Sequence, residues 1–257
     1  MFKPAGVCFQ GTPITMSSDY RLPAILNHLI GSAMHDYAML ADGDRVLVAV
    51  SGGVDSLVLA WILRSWQKKA PIRYSLKAVV VVNEFWRRHP EVDHAVERIT
   101  CQLQRIGIDH CVEQGWKMAE NEQTCFSCAR NRRSQLFDLA RRQDCSKIAF
   151  GHHRDDLIET FFLNMLYGGN ISTMVPKQEL FGGNLALIRP MAYLEKTDIL
   201  AIAEGLGVVA VGNLCPLSEN TRRHKIRELL TNIYRDEPGA KKSIFAALAN
   251  IRQEYLL

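Results

Sequence analysis

The sequence predicts an α/β fold: a parallel sheet covered by helices on both faces. Two observations carry this prediction. Short apolar runs alternate with helical patterns along most of the chain, and glycine-containing turns follow the strand-like runs that end at Val50 and Phe150. At 257 residues, 47% hydrophobic and 23% charged, the chain has the composition of a globular protein able to bury a substantial core.

Leu22, Ile25, Leu26, Leu29, Ala33, Met34 and Tyr37 recur at helical spacing, predicting an amphipathic helix over Arg21–Leu40 that stops at Asp42-Gly43. Strand-like runs follow at Arg45–Val50, Leu76–Val82, Asp109–Glu113, Lys147–Phe150 and Val208–Val211. Helical patterns lie between them at Leu57–Gln67, Val92–Ile106, Cys128–Gln143, Leu157–Tyr167 and Lys196–Leu206. In such folds the ligand sits at the carboxyl ends of the strands, where the strand order reverses. Gly168–Pro190 breaks the alternation with Gly168-Gly169, Pro176, Gly182-Gly183 and Pro190, and reads as an excursion bearing a short hairpin at Leu180–Leu185. The expected organisation is an N-terminal segment with its amphipathic helix at 1–40, a nucleotide-binding catalytic domain at 41–212 and a basic helical region at 213–257.

Runs such as Ala78–Val82 are far shorter than the ~20 apolar residues of a membrane span, and Met1–Met16 lacks a signal-peptide core, so a cytoplasmic protein without membrane contact is expected. Seven cysteines without an export signal argue against a disulfide framework and favour metal or redox roles. The net charge of +4 is mild, but its distribution is not. Arg130, Arg132, Arg133, Arg141, Arg142 and Lys147 form one basic run, and Arg222, Arg223, His224, Lys225 and Arg227 form another. One such run is usually a solvated helix face; two, each near a candidate cysteine, suit a phosphate-rich macromolecule.

The chemistry concentrates in three places. Ser51-Gly52-Gly53-Val54-Asp55-Ser56 follows a buried strand and opens a helix, a phosphate cradle made of backbone amides and hydroxyls. No lysine follows its glycines, unlike a kinase-type or GTPase-type loop, while Asp55 can hold the metal that accompanies a pyrophosphate group. Gly151-His152-His153-Arg154-Asp155-Asp156 repeats the geometry at a second strand end; its carboxylates can bind magnesium or cap the helix. Cys125-Phe126-Ser127-Cys128 alone fits zinc, a redox dithiol or an iron-sulfur cluster. With Cys215 the count is three thiolates, which leaves zinc underligated but leaves one iron of a 4Fe-4S cluster open. Cys101, Cys111 and Cys145 read as small apolar core residues.

Together SGGVDS at Ser51, CFSCARNRR from Cys125, GHHRDDLIETFFLNMLYGG from Gly151, IRPMAY from Ile188 and NLC ending at Cys215 resemble the tRNA 2-thiocytidine synthetases, among the PP-loop ATP pyrophosphatases. The resemblance spans Arg21 to the C-terminus and implies a Rossmann-like sheet of the adenine nucleotide α-hydrolase type. It implies that Ser51, Gly52, Gly53, Asp55 and Ser56 hold the ATP phosphates, that Gly151, His152 and Asp155 complete the nucleotide and magnesium site, and that Cys125, Cys128 and Cys215 ligate a 4Fe-4S cluster. Arg132, with Arg189 as second candidate, would stabilise charge on the α-phosphate; Asp55, Asp155 and Arg132 form the expected catalytic set. The implied reaction adenylates a tRNA cytidine, expected at position 32, and replaces its 2-oxygen with sulfur from a cysteine desulfurase or free sulfide. A homodimer is compatible with it. Thiolation of another base or small molecule, a lysidine-type amine ligase and a nucleotide-binding iron-sulfur sensor are the alternatives. Three positions depart from the pattern: Val54 stands where these thiolases commonly have lysine, Gly212 replaces a cysteine of the usual CNLC, and Asn83-Glu84-Phe85-Trp86 lies in a shortened connection.

Overall fold

The computed structural model describes residues 20–118, 124–212, 214 and 221–255. The apolar run Arg45–Val50 forms β1, an interior strand whose Val46, Leu47 and Val48 side chains are sealed from solvent. It pairs in parallel with β2 (Ser75–Val82) on one side and with β4 (Lys147–Ala149) on the other. Beyond β2 lies β3 (Asp109–Gln114), also parallel. Beyond β4 lies β6 (Leu185–Ile188), parallel, with β5 (Lys177–Leu180) antiparallel at the edge. The six-stranded order β3-β2-β1-β4-β6-β5 therefore reverses between β1 and β4. Both glycine-containing loops leave the sheet at that point, where α/β folds bind ligands.

The helices are α1 (Ala24–Asp36), α2 (Val54–Gln67), α3 (Glu84–Arg87), α4 (Val92–Ile106), α5 (Cys125–Arg142), α6 (Arg154–Gly168), α7 (Lys196–Leu206), α8 (Arg222–Asp236) and α9 (Ala240–Ala247). The core on one sheet face is filled from α1, α2, α4 and α7, with Ile30, Leu59, Leu63, Ile99, Leu103 and Ile202 completely buried. On the other face Leu136, Leu139 and Ala140 of α5 pack on Leu47, Val79, Ile148 and Leu187. A smaller cluster joins Ile158 of α6 to Ile226 and Leu230 of α8, with Phe245 of α9 against them. No helix among the described residues is long and apolar enough to cross a membrane.

Several expectations need correction. The first helix is shorter than Arg21–Leu40: Pro23 caps it, and Ala38, at φ 44°, takes the backbone out of helical geometry beyond its end. The hairpin spans Lys177–Ile188 and is no excursion, because the continuous apolar run Leu185–Ile188 is buried at every position as a strand of the main sheet. Val208–Val211 is not a strand. Its backbone is satisfied otherwise: Gln102, buried on α4, donates to the Val209 carbonyl at 2.9 Å and accepts from its amide at 3.0 Å, while the Val211 amide donates to the Gly52 carbonyl at 2.9 Å. Cys101 is half-buried on α4 and disulfide-bonded, not a plain core residue. Cys111 and Cys145 are half-buried free thiols whose pKa burial pushes up.

Candidate active site

The loop from Ser51 to Gly53 joins β1 to α2 and is closed by one hydroxyl. Ser56 Oγ donates to the Gly53 carbonyl at 2.8 Å and accepts from the Ser51 amide at 3.2 Å. Gly52, at φ +83°, is required twice over: its backbone is left-handed, and a Cβ would come within 2.6 Å of Ile99 Cδ1. The loop thus presents backbone to the open side at the start of α2, where amide groups and the helix dipole favour an anion.

Gly151 brings the second loop onto the first. A Cβ there would lie 2.9 Å from the Asp55 carbonyl carbon and 3.0 Å from the Ser56 amide nitrogen, so the loop backbones touch at a position only glycine can occupy. From this contact α6 projects His153, Asp155 and Asp156 toward Asp55. His153 is 5% exposed, with Nδ1 3.4 Å from Asp155 Oδ2 and Nε2 3.3 Å from Asp156 Oδ2 and 3.9 Å from Asp55 Oδ1. Asp156 also accepts from the His153 amide at 3.2 Å, so the capping role expected for one of the paired carboxylates belongs to Asp156.

The cations that neutralise these carboxylates come from elsewhere in the chain. Lys196, the first residue of α7, donates from Nζ to Asp55 Oδ1 at 2.5 Å and from its backbone amide to Asp155 Oδ2 at 2.9 Å. Lys241 of α9 lies 2.6 Å from Asp155 Oδ1 and 2.8 Å from Glu195 Oε2. Burial opposes charge on Asp155, yet His153, Lys241 and the Lys196 amide outweigh it and hold its pKa below the usual carboxylate value. Arg223 of α8 bridges Asp156 at 3.2 Å and Glu159 at 3.1 Å, and Arg227 reaches Glu159 at 2.7 Å.

His152 sits behind this cluster. Its pKa is pushed down to about 4, chiefly by burial, with Arg189, Arg223 and His153 adding to the effect against Asp156. The neutral ring stacks on Phe150 and accepts at Nδ1 from Arg189 Nε at 3.2 Å. Arg189 is 5% exposed, donates also to the Val175 carbonyl and makes no ion pair among the described residues. Its own pKa is lowered to about 10 by burial and by the nearby Arg133. A buried guanidinium with no carboxylate beside it suits an anionic ligand group.

The cysteine region lies on the β2–β3 side. Thr124 caps α5 by accepting from the Ser127 amide at 3.1 Å, which sets Cys125 and Cys128 on its first turn. Cys128 is half-buried and lines a cleft with Asn83, Glu84, Trp116, Asn131 and Arg132 at the carboxyl ends of β2 and β3. The Cys125 side chain and Cys215 fall outside the described residues. Arg132 is exposed, and among the described residues no hydrogen bond or ion pair ties it to either loop. The described residues contain no ready-made cluster of His, Cys, Asp or Glu holding a metal-ion geometry. Asp55 and Asp155 hold ammonium groups instead.

Sequence reasoning missed His153 as the hub of the carboxylates, and Lys196, Lys241, Glu159 and Glu195 altogether. His153 had a signal in its motif. The lysines had none, since each sits at the start of an unrelated helix and meets the loops only through tertiary packing.

A PP-loop domain family model matches residues 24–233. The tRNA-cytidine(32) 2-sulfurtransferase of Cupriavidus metallidurans is 36% identical over 245 residues, covering 92% of this chain and 76% of the relative. Its counterpart from Azotobacter vinelandii is 37% identical over 244 residues, covering 92% of this chain and 87% of the relative. Among solved structures, the U34-tRNA thiolase from Methanococcus maripaludis, with its 4Fe-4S cluster, superposes at a TM-score of 0.72 and 21% identity, over 90% of this chain and 79% of that one. That likeness supports the Rossmann-like α/β fold.

Proposed function

The chain belongs to the tRNA-cytidine(32) 2-sulfurtransferase family of PP-loop proteins, and from that membership we propose that it spends ATP to replace the 2-oxygen of a tRNA cytidine, at position 32, with sulfur. The observation that carries this reading is the seating of Gly151 on Asp55 and Ser56, which joins two loops and their carboxylates at the sheet's switch point.

The backbone amides of Ser51, Gly52 and Gly53 and the hydroxyls of Ser51 and Ser56 hold the pyrophosphate portion of ATP. Asp55 and Asp155 would hold magnesium; their carboxylates, both bound to Lys196, are the hard oxygen donors that this ion selects, with Lys196 moving off Asp55 and Lys241 staying on Glu195. The cytidine 2-carbonyl oxygen attacks the α-phosphorus and pyrophosphate leaves. Arg189, buried without an acidic partner among the described residues and held by His152, offsets charge on the α-phosphate, with Arg132 as a second contact from α5. Hydrosulfide then attacks carbon 2, and the original oxygen departs with AMP.

Cys125, Cys128 and Cys215 would ligate a 4Fe-4S cluster, and the place of Cys128 in the cleft beside Arg132 fits that donor role. When bound, such a cluster supplies an open iron position for the incoming sulfur. The sulfur comes from a cysteine desulfurase or free sulfide, the work is cytoplasmic, and a homodimer is compatible with the exposed α5 face. The test is the thionucleoside content of bulk tRNA from cells lacking the gene: loss of 2-thiocytidine is expected, and an unchanged profile overturns the proposal.

A further inference from the structure

From Ser51 to Ser56 the phosphate loop contains no cation, and Val54, its one side chain besides serine and aspartate, packs against the core. A nucleotide triphosphate bound there needs positive charge beyond the backbone amides. The ammonium that reaches the loop belongs to α7: Lys196 Nζ lies 2.5 Å from Asp55 Oδ1. Neighbouring cations are committed elsewhere. Arg223 bridges Asp156 and Glu159, Arg227 pairs with Glu159, Lys241 with Asp155 and Glu195, and Arg154 with Glu195 and the Tyr193 carbonyl.

Lys196 is also well fixed at its root. Its amide donates to Asp155 Oδ2 at 2.9 Å, and the preceding Glu195 amide donates to Asp198 Oδ2 at 2.8 Å, which locks the first turn of α7. The main chain of Lys196 thus holds the second loop while its side chain reaches the first. That side chain is 39% exposed, so the ammonium lies on the open side of the site, free to swing from Asp55 to an arriving phosphate.

We infer that Lys196 is the phosphate-binding cation of the glycine loop, contacting the β- and γ-phosphates of ATP and the pyrophosphate that leaves. This rests on the ATP reading given above. The charge that a loop lysine would provide is delivered from α7, across the sheet's switch point, to a loop whose own position 54 is an apolar side chain packed against the core.

The test compares two ligands on the cluster-loaded protein by titration calorimetry: a triphosphate analogue with a β,γ-imido bridge, and AMP, which lacks the outer phosphates. Lys196→Met keeps the length of the stem and removes the charge. It should weaken the triphosphate analogue about tenfold, the size of one charge-assisted hydrogen bond, and leave AMP within about twofold. Lys196→Arg should retain most of the triphosphate affinity. The ratio of the two affinities is the readout, because a general loosening of the fold lowers both together. Equal losses for the two ligands, or no loss for either, overturn the inference. A wild-type protein that binds neither ligand overturns the ATP reading itself.

Discussion

On α5, Arg130, Arg132 and Arg133 are exposed and make no ion pair among the described residues, whereas on α8 Arg223 and Arg227 fold back onto Asp156 and Glu159, which are 9% and 6% exposed. The runs look alike in sequence. They differ in what each helix packs against. α8 lies on α6, whose first turns bury carboxylates that would be costly without counterions. α5 lies on the sheet through Leu136, Leu139 and Ala140, and Glu84, the acid in the cleft beside Arg132, is already paired with Arg87 and Arg88, so the α5 arginines stay in solvent. Even within α5 the far end is internally paired, with Arg141 and Arg142 both on Asp138. A basic run is a nucleic-acid signal only where the fold leaves its charges unpaired.

The widest separation between the two helices should appear in RNA binding. Replacing Arg130, Arg132 and Arg133 together by Gln should weaken tRNA binding and flatten the log–log salt dependence of affinity by about 2, with no change in melting temperature. The same substitutions at Arg223 and Arg227 should leave the salt slope nearly intact. Filter binding across a salt series measures both, and an equal flattening from the α8 pair would erase the distinction.

Stability should show the reverse. Arg223→Met removes one counterion from Asp156 and Glu159, leaving Glu159 to Arg227 and Asp156 to His153, and the cost is about 2 kcal/mol once the partial exposure of the arginine is discounted. Single substitutions at Arg130 or Arg133 should stay within about 0.5 kcal/mol in denaturant titrations.

A smaller effect lies in pH. His152 has a folded pKa of about 4, below the ordinary imidazole value, so between those values the unfolded chain binds more protons than the folded one. Its contribution to stability is therefore complete above the ordinary histidine value and falls as pH drops toward about 4, with a slope of about 1 kcal/mol per pH unit. His152→Gln should flatten that slope. Arg223→Met should raise the His152 pKa, because Arg223 is among the charges that lower it. Asp155, whose pKa is depressed, loses its contribution only below the ordinary aspartate range, outside this window. A His152 titration by NMR that ignores Arg223 would detach this histidine from the α8 arginines.

The sheet was legible where apolar runs were long and bounded by turns, as at Arg45–Val50 and Leu76–Val82. It was misread where tertiary partners decide the state. Leu185–Ile188 is a strand because β4 is open to it, and Val208–Val211 is not one because Gln102 and Gly52 take its hydrogen bonds. Both loops at the switch point could be read from their glycines, since Gly52 and Gly151 answer to backbone geometry that local sequence encodes. The cations around them could not. Lys196 and Lys241 carry no local pattern, and Arg223 is disguised by a run that resembles a nucleic-acid surface.

The central claim is that the joined loops activate a tRNA cytidine for sulfur insertion, and the most direct measurement is mass spectrometry of tRNA nucleosides from a strain lacking this gene, complemented with wild-type or Asp55→Asn protein. The account predicts that 2-thiocytidine disappears on deletion, maps to position 32 when the wild-type gene is restored, and stays absent with Asp55→Asn. Unchanged 2-thiocytidine after deletion, or full restoration by the Asp55 variant, would contradict it.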